Sequence, residues 1–302
     1  MMLRTRLDGG GSPLAAPWGA DSEYGVLREV LLGAPDNFAW RPVNAIAQRT
    51  ARLGVRYDHQ TAMSQHRELV QAFEAAGVVV RQLPPDPALP YLIYARDSSV
   101  MTPWGALVMQ MERPFRRGEP IACIRAYAEL GVPIWDVVTA GSAEGGDLMV
   151  LKPGVAISGL SGGRSSEEGV AQVRAWFEAE DWTFRTYEFD PHFLHLDVQL
   201  AMVAEGLALA CTDALEPELV DWLKGEGVRV LDVPYGEAMR MGCNAVALGG
   251  ERVMVAKQNR LVAEACRAEG LTVIDPDISM IAAAGGSIHC LCQPLRRDPA
   301  AG

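Results

Sequence analysis

The feature that most constrains this 302-residue chain is a recurrence. Five amphipathic stretches, at residues 62–76, 121–130, 166–180, 216–226 and 260–269, are each followed by a short run rich in β-branched or aromatic residues. The runs begin at Val78, Val132, Trp182, Val228 and Leu271, so their starts lie 54, 50, 46 and 43 residues apart. Apolar spacing of three and four marks the stretches as helices, and Ser166, Glu216-Pro217, Gly227 and Gly270 supply starts and stops. Between one run and the next helix stand two more strand candidates, such as 147–150 with 154–157, or 245–248 with 252–255 across the Gly249-Gly250 turn signal. The unit is strand, turn, strand, helix, strand. Repeated about five times, it predicts a propeller-like array in which each small sheet is buried by its neighbours. A single open α/β sheet of irregular strand order is the competing reading.

Length alone admits one or two domains, and the repeat favours one, spanning residues 22–302 behind a flexible lead-in at residues 1–21. That lead-in carries Arg4 and Arg6 but passes into Gly9, Gly10, Gly11, Ser12 and Pro13 without an apolar core, unlike a secretory signal. With 49% hydrophobic and 22% charged residues and no apolar run of bilayer length, the expectation is a soluble chain that does not enter a membrane. Six scattered cysteines, Cys123, Cys211, Cys243, Cys266, Cys290 and Cys292, fit reduced thiols in the cytoplasm better than a disulfide framework. A net charge of −11 argues against nucleic acid as a partner and suits a cationic small molecule.

Residues able to do chemistry recur at one place in the unit, beyond the late run and before the next hairpin. They are Asp97, Glu144, His195, Cys243 with Asn244, and Cys290, which follow the five run starts by 19, 12, 13, 15 and 19 residues. If the array closes, equivalent positions converge, bringing carboxylates, an imidazole and a thiol into one pocket. Each local sequence also has a plainer reading. Arg96-Asp97 fits a solvated turn or a structural ion pair, and Glu144-Gly145-Gly146-Asp147 fits an ordinary turn. Alternation in Leu194-His195-Leu196-Asp197-Val198 predicts a strand with His195 and Asp197 on one face, where a lone histidine is commonly a satisfied core residue. Gly285-Gly286 predicts a turn feeding a strand that presents Cys290. His289, Cys290 and Cys292 also admit soft-metal ligation, but no second ligand pair with zinc spacing follows.

Glu-Gly-Gly-Asp at 144–147, His-Leu-Asp at 195–197 and Gly-Gly-Ser-Ile-His-Cys at 285–290, in that order and with the cysteine near the C-terminus, resemble the guanidine-modifying superfamily. Dimethylarginine dimethylaminohydrolases, arginine and agmatine deiminases and amidinotransferases make up that group. The resemblance runs from Tyr24 to Cys290 and implies the five-bladed αβ propeller known as the pentein fold. It implies Cys290 as nucleophile, His195 as general acid and then base, and Glu144 with Asp97 as acceptors for guanidinium nitrogens. Asp197 matches the second acidic position of deiminases and amidinotransferases. Arg116 and Arg164 resemble the arginines that hold a substrate α-carboxylate. No metal and no organic cofactor is implied; the partner is a small cationic guanidino compound, and a homodimer is compatible with the chain. Hydrolysis is expected ahead of amidino transfer, with a non-catalytic binding propeller or a thiol sensor as readings of another class.

Overall fold

The computed structural model of the protein describes residues 17–300 and arranges them as a mixed α/β fold of five three-stranded sheets. The first sheet joins the two ends of the chain: β1 (Leu27–Gly33) runs parallel to β2 (Val79–Leu83) and antiparallel to the last strand, β15 (Cys292–Arg297). The next is β3 (Ser99–Thr102), β4 (Gly105–Val108) and β5 (Ile134–Val137); then come β6 (Leu148–Lys152), β7 (Val155–Leu160) and β8 (Thr183–Glu188). Two more follow, β9 (Leu200–Ala204) with β10 (Leu207–Ala210) and β11 (Arg229–Asp232), and β12 (Val246–Ala247) with β13 (Arg252–Met254) and β14 (Thr272–Ile274). In each of these four, an antiparallel hairpin is followed by a helix and a strand parallel to the hairpin's second member. The helices are Glu119–Leu130, Glu167–Glu178, Pro217–Gly225 and Arg260–Ala268, and His59–Ala75 serves the first sheet. A parallel return strand needs such a crossover.

Side-chain alternation explains why five small sheets hold together. In β6 and β7, Leu148, Val150 and Ala156 enter one apolar core, while Met149, Leu151, Val155 and Ile157 enter another. The first core is shared with Val100 and Leu107 of the preceding sheet, the second with Leu200, Met202 and Ala208 of the following one. The same division recurs throughout. Leu207 and Leu209 meet Val253, and Leu31 and Leu295 meet Met101 and Ala106. The fifth core joins the last sheet to the first, Val246 and Met254 packing with Val30 and Leu32. Both faces of each hairpin are therefore buried, whereas β11 and β14 are partly exposed.

Two expected strands take other forms. Residues 194–198 form no strand: Leu196–Val198 is a 3₁₀ turn, because the N–H groups of Leu196 and Asp197 are taken by Asp147 Oδ1 and Gly146 O, at 2.9 and 3.0 Å, rather than by a neighbouring strand. Cys290 sits not on a strand but on a single helical turn, Ile288–Leu291, immediately before β15. Of the lead-in, residues 1–16 lie outside the described residues; residues 18–21 lie against the structure, with Gly19 bridging Arg296 and Ala20 buried. Among the described residues no helix is long and apolar enough to cross a membrane.

Candidate active site

Each sheet contributes to one site from the segment leading into the edge strand that pairs antiparallel with its central strand. Asp97 precedes β3, Glu144 precedes β6, His195 and Asp197 precede β9, Asn244 precedes β12, and Cys290 precedes β15. All are buried, and Asp97, His195 and Cys290 line one narrow cavity of about 20 Å³ together with Arg116, Arg164, Tyr91 and Tyr94. The cavity has room for roughly one water molecule, so a larger ligand must part its walls, which include Leu194, Gly285 and Gly286. Two larger depressions, of about 680 and 630 Å³, lie near hairpin turns and hold none of these residues.

His195 Nε2 donates to Glu144 Oε2 at 2.9 Å. Arg164 Nη1 reaches the same oxygen at 3.4 Å, and Glu144 Oε1 accepts from the Glu112 N–H at 3.1 Å. Burial pushes the Glu144 carboxyl up, but the His195 hydrogen bond and the charges of Arg164, His195 and Arg116 outweigh it and bring the group down to about 2. Burial likewise works against a charged His195, yet Asp97, Asp147 and Glu144 raise it to about 9. The imidazole packs flat on the Glu-Gly-Gly-Asp loop: a side chain at Gly146 would stand 2.7 Å from His195 Nδ1, which is the physical requirement for glycine there. Asp147, raised to about 7 chiefly by burial, fixes that loop by accepting from Ser165 Oγ at 2.6 Å and Leu196 N at 2.9 Å.

On the other side of the thiol, Asn244 acts as a clamp. Its Oδ1 accepts from the backbone N–H groups of Ser287 and Cys290 at 3.2 and 3.1 Å, and its Nδ2 donates to Cys290 Sγ and to Asp197 O, both at 3.2 Å. The Cys290 thiol donates to Asp197 Oδ2 at 3.4 Å, and His289 Nδ1 donates to that same oxygen at 2.9 Å. Burial first, then the charges of Asp197 and Asp97, hold the thiol well above its ordinary range. A cation placed between those carboxylates reverses the electrostatic part of that shift.

The structure thus brings together all seven residues singled out in the sequence: Cys290, His195, Glu144, Asp97, Asp197, Arg116 and Arg164. Arg116 differs from its expected use. Its Nε and Nη2 are held by the buried Glu119 carboxylate at 3.0 and 2.7 Å, and Nη1 donates to Asp97 Oδ2 at 2.7 Å. Its donors face protein carboxylates, so the open guanidinium at the cavity wall is that of Arg164. Arg96 and Asp97 are neither solvated nor paired with one another; Arg96 turns to Glu23 at 2.6 Å. Cys243 lies in an apolar core while its neighbour Asn244 enters the site. Tyr94 lines the cavity, whereas Met101 and Met241 are core residues. Glu23, Glu119 and Asn44 were not anticipated in any role, and His289 only as a soft-metal ligand beside Cys290 and Cys292. Asp97, Glu144 and His195 have ligand atoms within 4.8 Å of one another, a spacing that suits a metal ion, but two arginines already occupy the space beside them.

The fold is shared with solved structures of guanidine-modifying enzymes. The chain superposes with a TM-score of 0.74 on a dimethylarginine dimethylaminohydrolase of Pseudomonas aeruginosa complexed with citrulline, 21% identical, over 89% of this chain and 99% of that one. With an amidinotransferase of Microseira wollei from a saxitoxin biosynthetic pathway the score is 0.77, at 19% identity, over 93% and 98%. The chain belongs to the family described as N,N dimethylarginine dimethylhydrolase, eukaryotic, whose model matches residues 34–297. Relatives by sequence include the Bacillus subtilis protein YkgA, 27% identical over 91% of this chain and 94% of that one. An N(G),N(G)-dimethylarginine dimethylaminohydrolase of Streptomyces coelicolor is 29% identical over 80% and 88%.

Proposed function

We propose that the protein is a hydrolase of a small guanidino compound of the arginine or N-methylated arginine type, working through a covalent thiouronium on Cys290. One observation carries this reading. Three buried polar atoms around the thiol, Asp97 Oδ1, Asp197 Oδ1 and His195 Nδ1, have no hydrogen-bond partner among the described residues. Leaving such atoms bare is costly, and a planar cation edged with N–H groups supplies donors to both oxygens at once. We further read the five sheets as blades of a single closed five-bladed αβ propeller, on the strength of the core shared by the last sheet and the first.

The reaction proceeds in two halves. Entry of the cation between Asp97 and Asp197 favours loss of the thiol proton to solvent, and the Cys290 thiolate attacks the guanidinium carbon. The C–S bond forms and a tetrahedral adduct results; the C–N bond to the departing nitrogen then breaks as His195 Nδ1 gives that nitrogen its proton. Ammonia or an amine leaves, and the thiouronium remains. Water then attacks the same carbon, losing a proton to the now neutral His195, and the C–S bond breaks to release a ureido product such as citrulline, the remaining hydroxyl proton passing to the departing sulfur to restore the thiol. Glu144 holds the imidazole through Nε2 in both halves, which leaves Nδ1 for proton transfer. An α-carboxylate on the substrate falls to Arg164.

The test is an assay for ureido product and released amine over arginine, methylated arginines, agmatine and guanidino acids, with wild type and Cys290→Ser. Product formed by wild type alone supports the reading and names the leaving group. Product that appears only when an acceptor amine such as glycine or lysine is added moves the reaction to amidino transfer, which shares the first half. Equal turnover by Cys290→Ser defeats the covalent route.

A further inference from the structure

Behind the catalytic groups runs a second line of buried charge, Arg96, Glu23 and His289, that the proposed chemistry does not employ and that ends on Asp197. Arg96 donates through Nη2 to Glu23 Oε1 at 2.6 Å and to Leu148 O at 3.0 Å, and through Nε to Gly145 O at 3.3 Å, so it is tied to both ends of the Glu-Gly-Gly-Asp loop. The other Glu23 oxygen lies 3.5 Å from His289 Nε2, and His289 Nδ1 donates to Asp197 Oδ2 at 2.9 Å. Glu23, Arg96, Asp197 and His289 are all buried. Asp197 in turn accepts from the Cys290 thiol through Oδ2 and keeps Oδ1 without a partner among the described residues.

We propose that His289 is a positioning residue: held by Glu23 at Nε2, its Nδ1–H fixes one oxygen of Asp197 and so reserves the other for the guanidinium of the substrate. A carboxylate with one oxygen pinned cannot rotate to give both oxygens to the thiol and the imidazole, and its free oxygen is preorganised for an incoming N–H. The charged groups that face the imidazole are Asp197, Glu23 and Arg96, and Glu23 is faced by Arg296's neighbour Arg297 as well. The two carboxylates favour a protonated ring, burial and Arg96 oppose it, and the net direction is upward. This inference rests on the guanidino reading given above.

Two amide variants separate the ring nitrogens. His289→Asn carries its N–H near the place of Nδ1 and gives up the reach to Glu23; His289→Gln carries it near Nε2 and gives up the bond to Asp197. With the best guanidino substrate, His289→Gln raises KM about tenfold, while His289→Asn stays within about threefold of wild type. Equal KM for His289→Gln and wild type, or equal damage by both substitutions in folded protein, overturns the proposal. If His289→Gln does not fold by circular dichroism, Glu23→Gln, which keeps the Nδ1 bond and weakens its outer anchor together with the ion pair to Arg96, takes its place. A rise in KM of about threefold then supports the proposal and an unchanged KM overturns it. If wild type turns over no guanidino compound at all, that reading fails by itself, and the pH profile of Cys290 alkylation by iodoacetamide decides the role of His289. The midpoint then moves to higher pH in His289→Gln and less in His289→Asn; identical midpoints in the two variants overturn it.

Discussion

Two carboxylate–imidazole pairs flank Cys290, each closed at 2.9 Å and each buried, and they are wired in opposite senses. In the Glu144–His195 pair the carboxylate is saturated, by His195, Arg164 and the Glu112 N–H, and the imidazole keeps Nδ1 without a hydrogen bond among the described residues, 3.8 Å from Asp97 Oδ1. In the Asp197–His289 pair the imidazole is the saturated member, lying between Asp197 and Glu23, and the carboxylate keeps Oδ1 unpartnered. The same two groups at the same distance thus offer the cavity a proton-transfer nitrogen on one side and a cation acceptor on the other. What distinguishes them is which member the surrounding protein has already satisfied.

Removing the group between the pairs has the largest effect. Cys290→Ser lowers kcat by at least about ten-thousandfold, read in the product assay, with substrate protection of the site retained. Next comes His195→Gln, whose amide keeps a donor toward Glu144 and has nothing at Nδ1: kcat falls about a thousandfold while KM changes little. The reverse pattern, a large change in KM alone, would assign His195 to binding and erase the contrast with Asp197.

Glu144→Gln leaves His195 and Arg164 without their carboxylate and costs about 3 kcal/mol of stability, measured by urea unfolding at neutral pH. The pH dependence of this pair has two limbs. Glu144, lowered from 4.5 to about 2 on folding, stabilises fully above pH 4.5 and loses its contribution as pH falls toward 2. His195, raised from 6.5 to about 9, stabilises fully below pH 6.5 and loses its contribution as pH rises through 9. The gap in Tm between wild type and His195→Gln is therefore widest between these limits and narrows toward pH 9; a gap that widens with pH contradicts an ionised pair. The smallest effect is expected at Asp147, which holds the loop and not the substrate. Asp147→Asn loses one acceptor for Ser165 or Leu196, costing about 1 kcal/mol and about tenfold in kcat, with KM preserved.

The opposite wiring of the pairs also marks where the sequence could be read. Asp97, Glu144, His195 and Cys290 were legible because the repeat places them equivalently, each ahead of the edge strand that pairs antiparallel with the central strand of its sheet. The hairpin and helix pattern was legible for the same reason, and Gly249 and Gly250 both adopt the positive φ their turn requires. Glu23 was not legible, since it lies ahead of β1, outside the repeated unit, and meets His289 only through the tertiary fold. Alternation at residues 194–198 imitated a strand because the turn that buries Leu196 and Val198 buries His195 and Asp197 too. Arg116 shows a different limit. Its chemistry suits a substrate carboxylate, but Glu119, three residues on at the start of a helix, offers a carboxylate already in place. That spacing was visible in the sequence; the burial that makes it decisive was not.

The covalent step is tested most directly by mass. Wild type and His195→Gln are mixed with the best guanidino substrate, quenched in acid within milliseconds, and the peptide containing Cys290 is weighed. The account predicts a thiouronium adduct on Cys290 in wild type and a longer-lived one in His195→Gln when the leaving group departs without acid help. Turnover with no adduct on Cys290 at any time, in protein whose Cys290→Ser variant remains active, would contradict it.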